Sequence, residues 1–104
     1  MSAVHMAAKL IIAPEVEKDL TEASAWYESR RTGLGEDFLS CVDACIAAIV
    51  RMPEMQAAVH KHYRRALVRR FPYIVFYEYE AHAVTIYAVF HASRDPQKWH
   101  QRLP

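Results

Sequence analysis

The apolar residues of this chain change period at Pro53, and that change constrains the fold more than any other feature of the sequence. Before Pro53 they recur every three or four residues; after it they alternate. Val16, Leu20, Ala23 and Tyr27 lie on one helical face. Pro14 suits the first turn of that helix, and Glu15, Glu17 and Asp19 complement its positive end. Arg30 and Arg31 stand at the other end, and Gly33 supplies a stop. Phe38, Val42, Cys45, Ile46 and Ile49 form the stripe of a second helix over about residues 35–52, closed by Pro53. The tight "TGLG" turn joins the two as a helical hairpin. Ahead of them "KLIIA" (9–13) reads as a short strand halted by Pro14.

Beyond Pro53, Tyr63–Arg70, Tyr73–Glu80 and Ala83–His91 are β-rich segments separated by "FP" and "AH". Asp95 and Pro96 open a short terminal helix, with Asp95 as its cap. The expected class is α+β, in the order β-α-α-β-β-β with a short C-terminal helix and the helical hairpin packed on a mainly antiparallel sheet. Alternation sorts the strand residues into two sets. Ala66, Val68, Ile74, Phe76, Val84, Ile86, Ala88 and Phe90 are expected to bury against the helices. Tyr63, Arg65, Leu67, Arg69, Tyr73, Val75, Tyr77, Tyr79, Tyr87, Val89 and His91 are expected on an uncovered face, which implies a partner.

A chain of 104 residues, 53% hydrophobic, suits one core and one domain. Residues 1–8 are expected to be a flexible extension of it. No apolar run approaches the roughly 20 residues needed to span a bilayer. "MSAVHMAAKL" is a poor secretory signal, so a cytoplasmic protein is expected. With two glycines there is no Gly-rich phosphate loop, and no nucleophile elbow occurs. Cys41 and Cys45 fall on consecutive helical turns, where a disulfide would cross-link almost nothing; buried free thiols are expected.

The net charge of +1 conceals a polarity. Residues 14–54 carry nine acids against four bases, and residues 55–104 carry eight bases against three acids. A field divided in this way favours an anionic partner on the C-terminal half. His60 and His62 share a strand face, but no further ligands follow at recognisable spacing, so neither a metal site nor a cofactor is expected.

"RRALVRRFPYIVFYEYE" (64–80) and "TIYAVFHASRDPQKW" (85–99) carry a resemblance. The "FPY" leading into an aliphatic-aromatic strand, followed by H-x-x-R-D-P-x-x-W after the last strand, resembles the RelE/ParE superfamily of toxins from type II toxin–antitoxin systems, in its ParE-like (plasmid stabilisation protein) branch. The resemblance implies a bacterial toxin neutralised by a cognate antitoxin that wraps around it, acting by binding and poisoning DNA gyrase without a known catalytic set. It also implies an alternative, the RelE-type endonuclease that cuts mRNA on the ribosome. An inactive antitoxin-binding module is a third reading. Two positions depart from the RelE pattern: Ile74 stands after Tyr73 where an Arg is expected, and the tail carries Trp99 in place of a tyrosine.

Metal-free RNA cleavage needs a base, an acid and cations for the phosphate. Arg65, His91 and Arg94 are the candidates for that chemistry. Partner contact is expected from Tyr63, Arg65, Arg69, Tyr73, Tyr77, Tyr87, His91, Arg94 and Trp99. His91 and Asp95 also have plain structural readings as cap and clamp of the chain end, and Trp99 as packing. Assembly as a homodimer or as a toxin–antitoxin hetero-oligomer is open from the sequence.

Overall fold

The computed structural model describes residues 8–103, apart from the side chains of His60, Pro96 and Trp99. Most of the expected extension therefore lies outside the described residues, while Ala8 is buried in the core. The elements are β1 (Lys9–Ile12), α1 (Glu15–Arg30), α2 (Leu34–Arg51), β2 (Ala58–His60), β3 (Tyr63–Leu67), β4 (Tyr73–Glu80), β5 (Ala83–His91) and a five-residue turn of helix, α3 (Pro96–His100). They build the α+β layout, with α1 and α2 packed on one five-stranded sheet of order β1-β5-β4-β3-β2. β1 runs parallel to β5 and the other pairs are antiparallel.

Two differences from the sequence reading concern the strands. β2 has no alternating signature and was not expected. β3 stops at Leu67, short of Arg70, because the chain turns through residues 68–72, where Arg70 has φ +73° and the Val68 N–H donates to the Tyr73 carbonyl at 2.9 Å.

A larger correction concerns the faces of the sheet. Phe76 pairs with Ala88 but Tyr77 pairs with Ile86, which makes Tyr87 the extra residue of a β-bulge. Parity therefore flips inside β5. Val84 and Ile86 face the helices before the bulge, and Val89 does so after it. Register then carries Val75, Tyr77 and Ala66 to the helical side as well, with Tyr73 and Tyr79 packed at its margin. Ile74, Phe76, Ala88 and Phe90, expected against the helices, form a separate cluster on the opposite face. That face is not bare. The C-terminal segment returns across it, placing the Arg94 and Arg102 guanidinium groups 4.1 and 4.8 Å from the centre of the Phe90 ring.

Beside the bulge, past the end of β1, lies Asp19, the one buried charged residue in the described chain. The Val89 N–H donates to Asp19 Oδ2 at 3.1 Å. Arg102 then closes the group, donating to Asp19 Oδ1 at 2.7 Å and to the Tyr87 carbonyl at 3.0 Å. At the opposite end of the core, Tyr27 stacks on Phe38 at 5.3 Å, and Phe71 and Tyr73 meet both rings edge-on. Full burial of side chains like Phe38 stabilises by roughly 1.5–3 kcal/mol each.

Candidate functional site

A groove of about 620 Å³ opens between α2 and the free side of β3. The ladder from β2 reaches only Tyr63 and Arg64, so the edge from Arg65 to Leu67 has no strand partner there among the described residues. One wall is the face of α2 carrying Cys41, Ala44, Cys45 and Ala48; Ala66 and Tyr77 line it from the sheet, and Met52 and Met55 close one end. Arg51, Arg69 and Arg70 stand around it. Arg70 lies 3.7 Å from Asp37, while Arg51 and Arg69 make no ion pair among the described residues. The result is an apolar trough bordered by cations.

Its end wall is pinned by two side chains from adjacent strands. Arg64 and Tyr77 are direct cross-strand partners. The Tyr77 hydroxyl donates to the Pro53 carbonyl at 2.9 Å, and Arg64 donates to the carbonyls of Gln56 and Glu54. These contacts hold the 53–56 segment against the sheet. Arg64, Met52 and Met55 were not singled out by sequence, because Pro53 reads there only as a helix stop. Only the register places them together.

The thiols are half-buried rather than sealed in the core. Burial still pushes the Cys45 thiol up to about 11, and its sulfur lies 3.6 Å from the Leu67 carbonyl. It behaves as a small apolar wall atom rather than a nucleophile.

The candidate residues separate into three places. Arg69 and Tyr77 belong to the groove, though Tyr77 is only 1% exposed and its ring is core; burial raises the pKa of its hydroxyl. Tyr63, Arg65 and Tyr87 lie on the opposite sheet face: Arg65 pairs with Phe76, Tyr63 with Glu78, and Tyr63 and Tyr87 meet edge-on at 5.7 Å. Tyr73, His91 and Arg94 gather at the C-terminal corner, where Tyr73 and His91 are 5.3 Å apart. The Trp99 side chain lies outside the described residues.

His91 Nδ1 accepts from the Ser93 N–H at 3.0 Å and meets its hydroxyl at 2.8 Å. His91 thus ties the turn after β5. Asp95 caps the next turn, its Oδ1 accepting from the Gln97 N–H at 2.9 Å. Of the nuclease candidates, His91 and Arg94 share the C-terminal corner, and Arg65 does not join them. Arg65 and His91 emerge on opposite faces, two strands and three residues apart, a separation of about 14 Å at ordinary strand spacings.

Residues 10–96 match the family described as the ParE toxin of type II toxin-antitoxin system, parDE. The chain belongs to the ParE toxin family. Toxin ParE2 of Mycobacterium tuberculosis, from strains CDC 1551 / Oshkosh and ATCC 25618 / H37Rv, is 33% identical to it over 92 residues, 88% of either chain. The solved structure of the chromosomal ParDE TA system from P. aeruginosa matches 85% of this chain and 98% of its own with a TM-score of 0.72, at 12% identity, which is a likeness of fold. Within this ParE-family toxin no helix is long and apolar enough to cross a membrane.

On the face opposite the groove, the Tyr87 hydroxyl donates to Glu78 Oε1 at 2.6 Å. Burial would push the Glu78 carboxyl up, but the hydrogen bond from Tyr87 and the neighbouring His62 outweigh it and leave the pKa lowered. Burial first, and then Glu78 itself, push the Tyr87 hydroxyl well above its ordinary range. Tyr87 is therefore a fixed donor.

Proposed function

We infer that this ParE-family toxin acts by binding, with a cognate antitoxin seated in the groove and DNA gyrase as the poisoned target. The separation of Arg65 from His91 across the sheet carries the choice of binding over RNA cleavage. Cleavage needs acid, base and phosphate-holding cations around one reacting atom, whereas a binding surface can draw on residues from several places.

The groove suits an antitoxin segment that is amphipathic and acidic. Its alanines, methionines and thiols offer an adaptable apolar trough. Arg51 and Arg69, which make no ion pair among the described residues, stand at the border, where complementary acids speed and orient docking. Tyr63, Arg65, Tyr87, His91 and Arg94 lie away from the trough, at the outer face and the C-terminal corner, and are the surface assigned to the target.

The test is pulse-labelling of DNA and protein synthesis in bacteria within minutes of inducing this chain without an antitoxin. DNA synthesis falls first if gyrase is the target. An earlier fall in protein synthesis replaces this reading with ribosome-dependent mRNA cleavage, and undisturbed growth replaces it with an inactive antitoxin-binding module.

A further inference from the structure

We propose that His62, Glu78 and Glu80 form a three-donor site for a first-row divalent metal ion such as Zn²⁺. His62 Nε2 lies 3.0 Å from Glu78 Oε2 and 3.2 Å from Glu80 Oε1, and the three donor atoms all fall within 4.8 Å of one another. Metal–ligand bonds of about 2.1 Å put neighbouring donors about 3.0 Å apart at right angles and about 3.4 Å apart at the tetrahedral angle. The two spacings from His62 fit adjacent ligands on one ion, and the Glu78 and Glu80 donors lie within 4.8 Å of each other. An imidazole with two carboxylates suits borderline divalent ions.

An independent contact supports the donor set. The Tyr87 hydroxyl occupies Glu78 Oε1 at 2.6 Å, which leaves Oε2 turned toward His62. A hydrogen bond to the non-ligating oxygen is the usual way a protein aims a ligating carboxylate. The backbone fixes the rest. Glu78 and Glu80 are two apart on β4 and share one face, and His62 comes from the tight turn before β3, where Lys61 has φ +54°. One side of the site is walled by the Tyr63 ring, 4.9 Å from that of His62. The Glu80 side is open to solvent, so water completes the coordination. A bound ion ties the β2–β3 turn to β4.

Purified chain titrated calorimetrically with zinc chloride tests this, alongside thermal unfolding with and without zinc. One equivalent binds and raises the melting temperature. Glu80→Gln, at an exposed position that folding does not depend on, weakens binding more than tenfold, and His62→Ala abolishes the one-equivalent phase. Tyr87→Phe keeps all three donors yet weakens binding by about 10–100-fold, as loss of a ligand-orienting bond does. His82→Ala and a Cys41→Ser/Cys45→Ser double variant bind as the parent does. The proposal is overturned if no saturable one-equivalent phase appears. It is equally overturned if the phase survives in Glu80→Gln and His62→Ala, or disappears in the cysteine or His82 variants.

Discussion

Asp19 occupies the helical face that sequence reads as core, yet it appears there only as an acid favouring the start of α1. Its larger role depends on contacts with β5 and the C-terminal segment that alternation cannot reveal. β1 pairs with β5 only as far as Ile86, which leaves the Val89 N–H and the Tyr87 carbonyl beyond its end, and Asp19 and Arg102 satisfy them. Removing one partner leaves the other charge in a site where the Asp19 side chain is 6% exposed. Arg102→Ala is therefore expected to cost about 3 kcal/mol in urea unfolding, at the lower end for broken buried pairs because Arg102 is partly solvated. A loss under roughly 1 kcal/mol would place the pair among ordinary surface contacts. Glu28 makes a second prediction at this scale. The N–H groups of Gly33 and Gly35 donate to its carboxylate at 3.0 Å and hold its pKa below the ordinary 4.5. The folded state then takes up the proton less readily than the unfolded chain. This contribution is whole above about pH 4.5 and is lost as pH falls through the lower folded value. Glu28→Gln keeps an acceptor oxygen but no titration, so the acid-unfolding curve becomes shallower below pH 4.5. An unchanged slope contradicts the assignment.

At the scale of elements, the two glycines have different reasons to be there. Gly33 has φ +89° with open space around it. Gly35 lies in the first turn of α2, and a Cβ there meets the Ser24 carbonyl at 2.7 Å and the Ser24 hydroxyl at 2.9 Å. Gly33→Ala is expected to cost about 1 kcal/mol, from backbone strain alone. Gly35→Ala is expected to cost about 2 kcal/mol, because the helices must part. Equal losses in thermal unfolding would mean that the contact between the helices yields without cost. Sequence placed both helices, β4 and β5 closely, because long stripes and clean alternation survive small errors. It put Val89 on the wrong face because one inserted residue reverses parity for the rest of β5, and it put Tyr73, Val75 and Tyr77 there because the face of β4 was matched to a β5 without a bulge. β2 was invisible, since its three residues carry no period. The His62, Glu78 and Glu80 group was equally hidden, because only the pairing of β3 with β4 brings a turn histidine to two strand acids.

For the whole molecule, the division of charge between the two halves of the chain was legible in composition, and Arg69 and Arg70 from the basic half border the groove together with Arg51 from the acidic one. Arg69→Glu is expected to slow association with the cognate antitoxin about tenfold at low salt, with the gap closing as ionic strength rises. A rate that ignores both the substitution and the salt would remove electrostatics from docking. The groove itself was not legible. Its walls come from α2, the 52–56 segment and β3, which no local pattern connects. The family was legible in two short motifs, whereas the choice between binding and cleavage turns on which sheet face each side chain occupies. That choice is decided most directly with purified DNA gyrase, plasmid and ATP, by adding this chain with and without its antitoxin and measuring DNA breaks held by the enzyme. Trapped breaks that rise with dose and vanish with antitoxin are the predicted result. Undisturbed gyrase, with mRNA cut on ribosomes by the same preparation, would contradict the account.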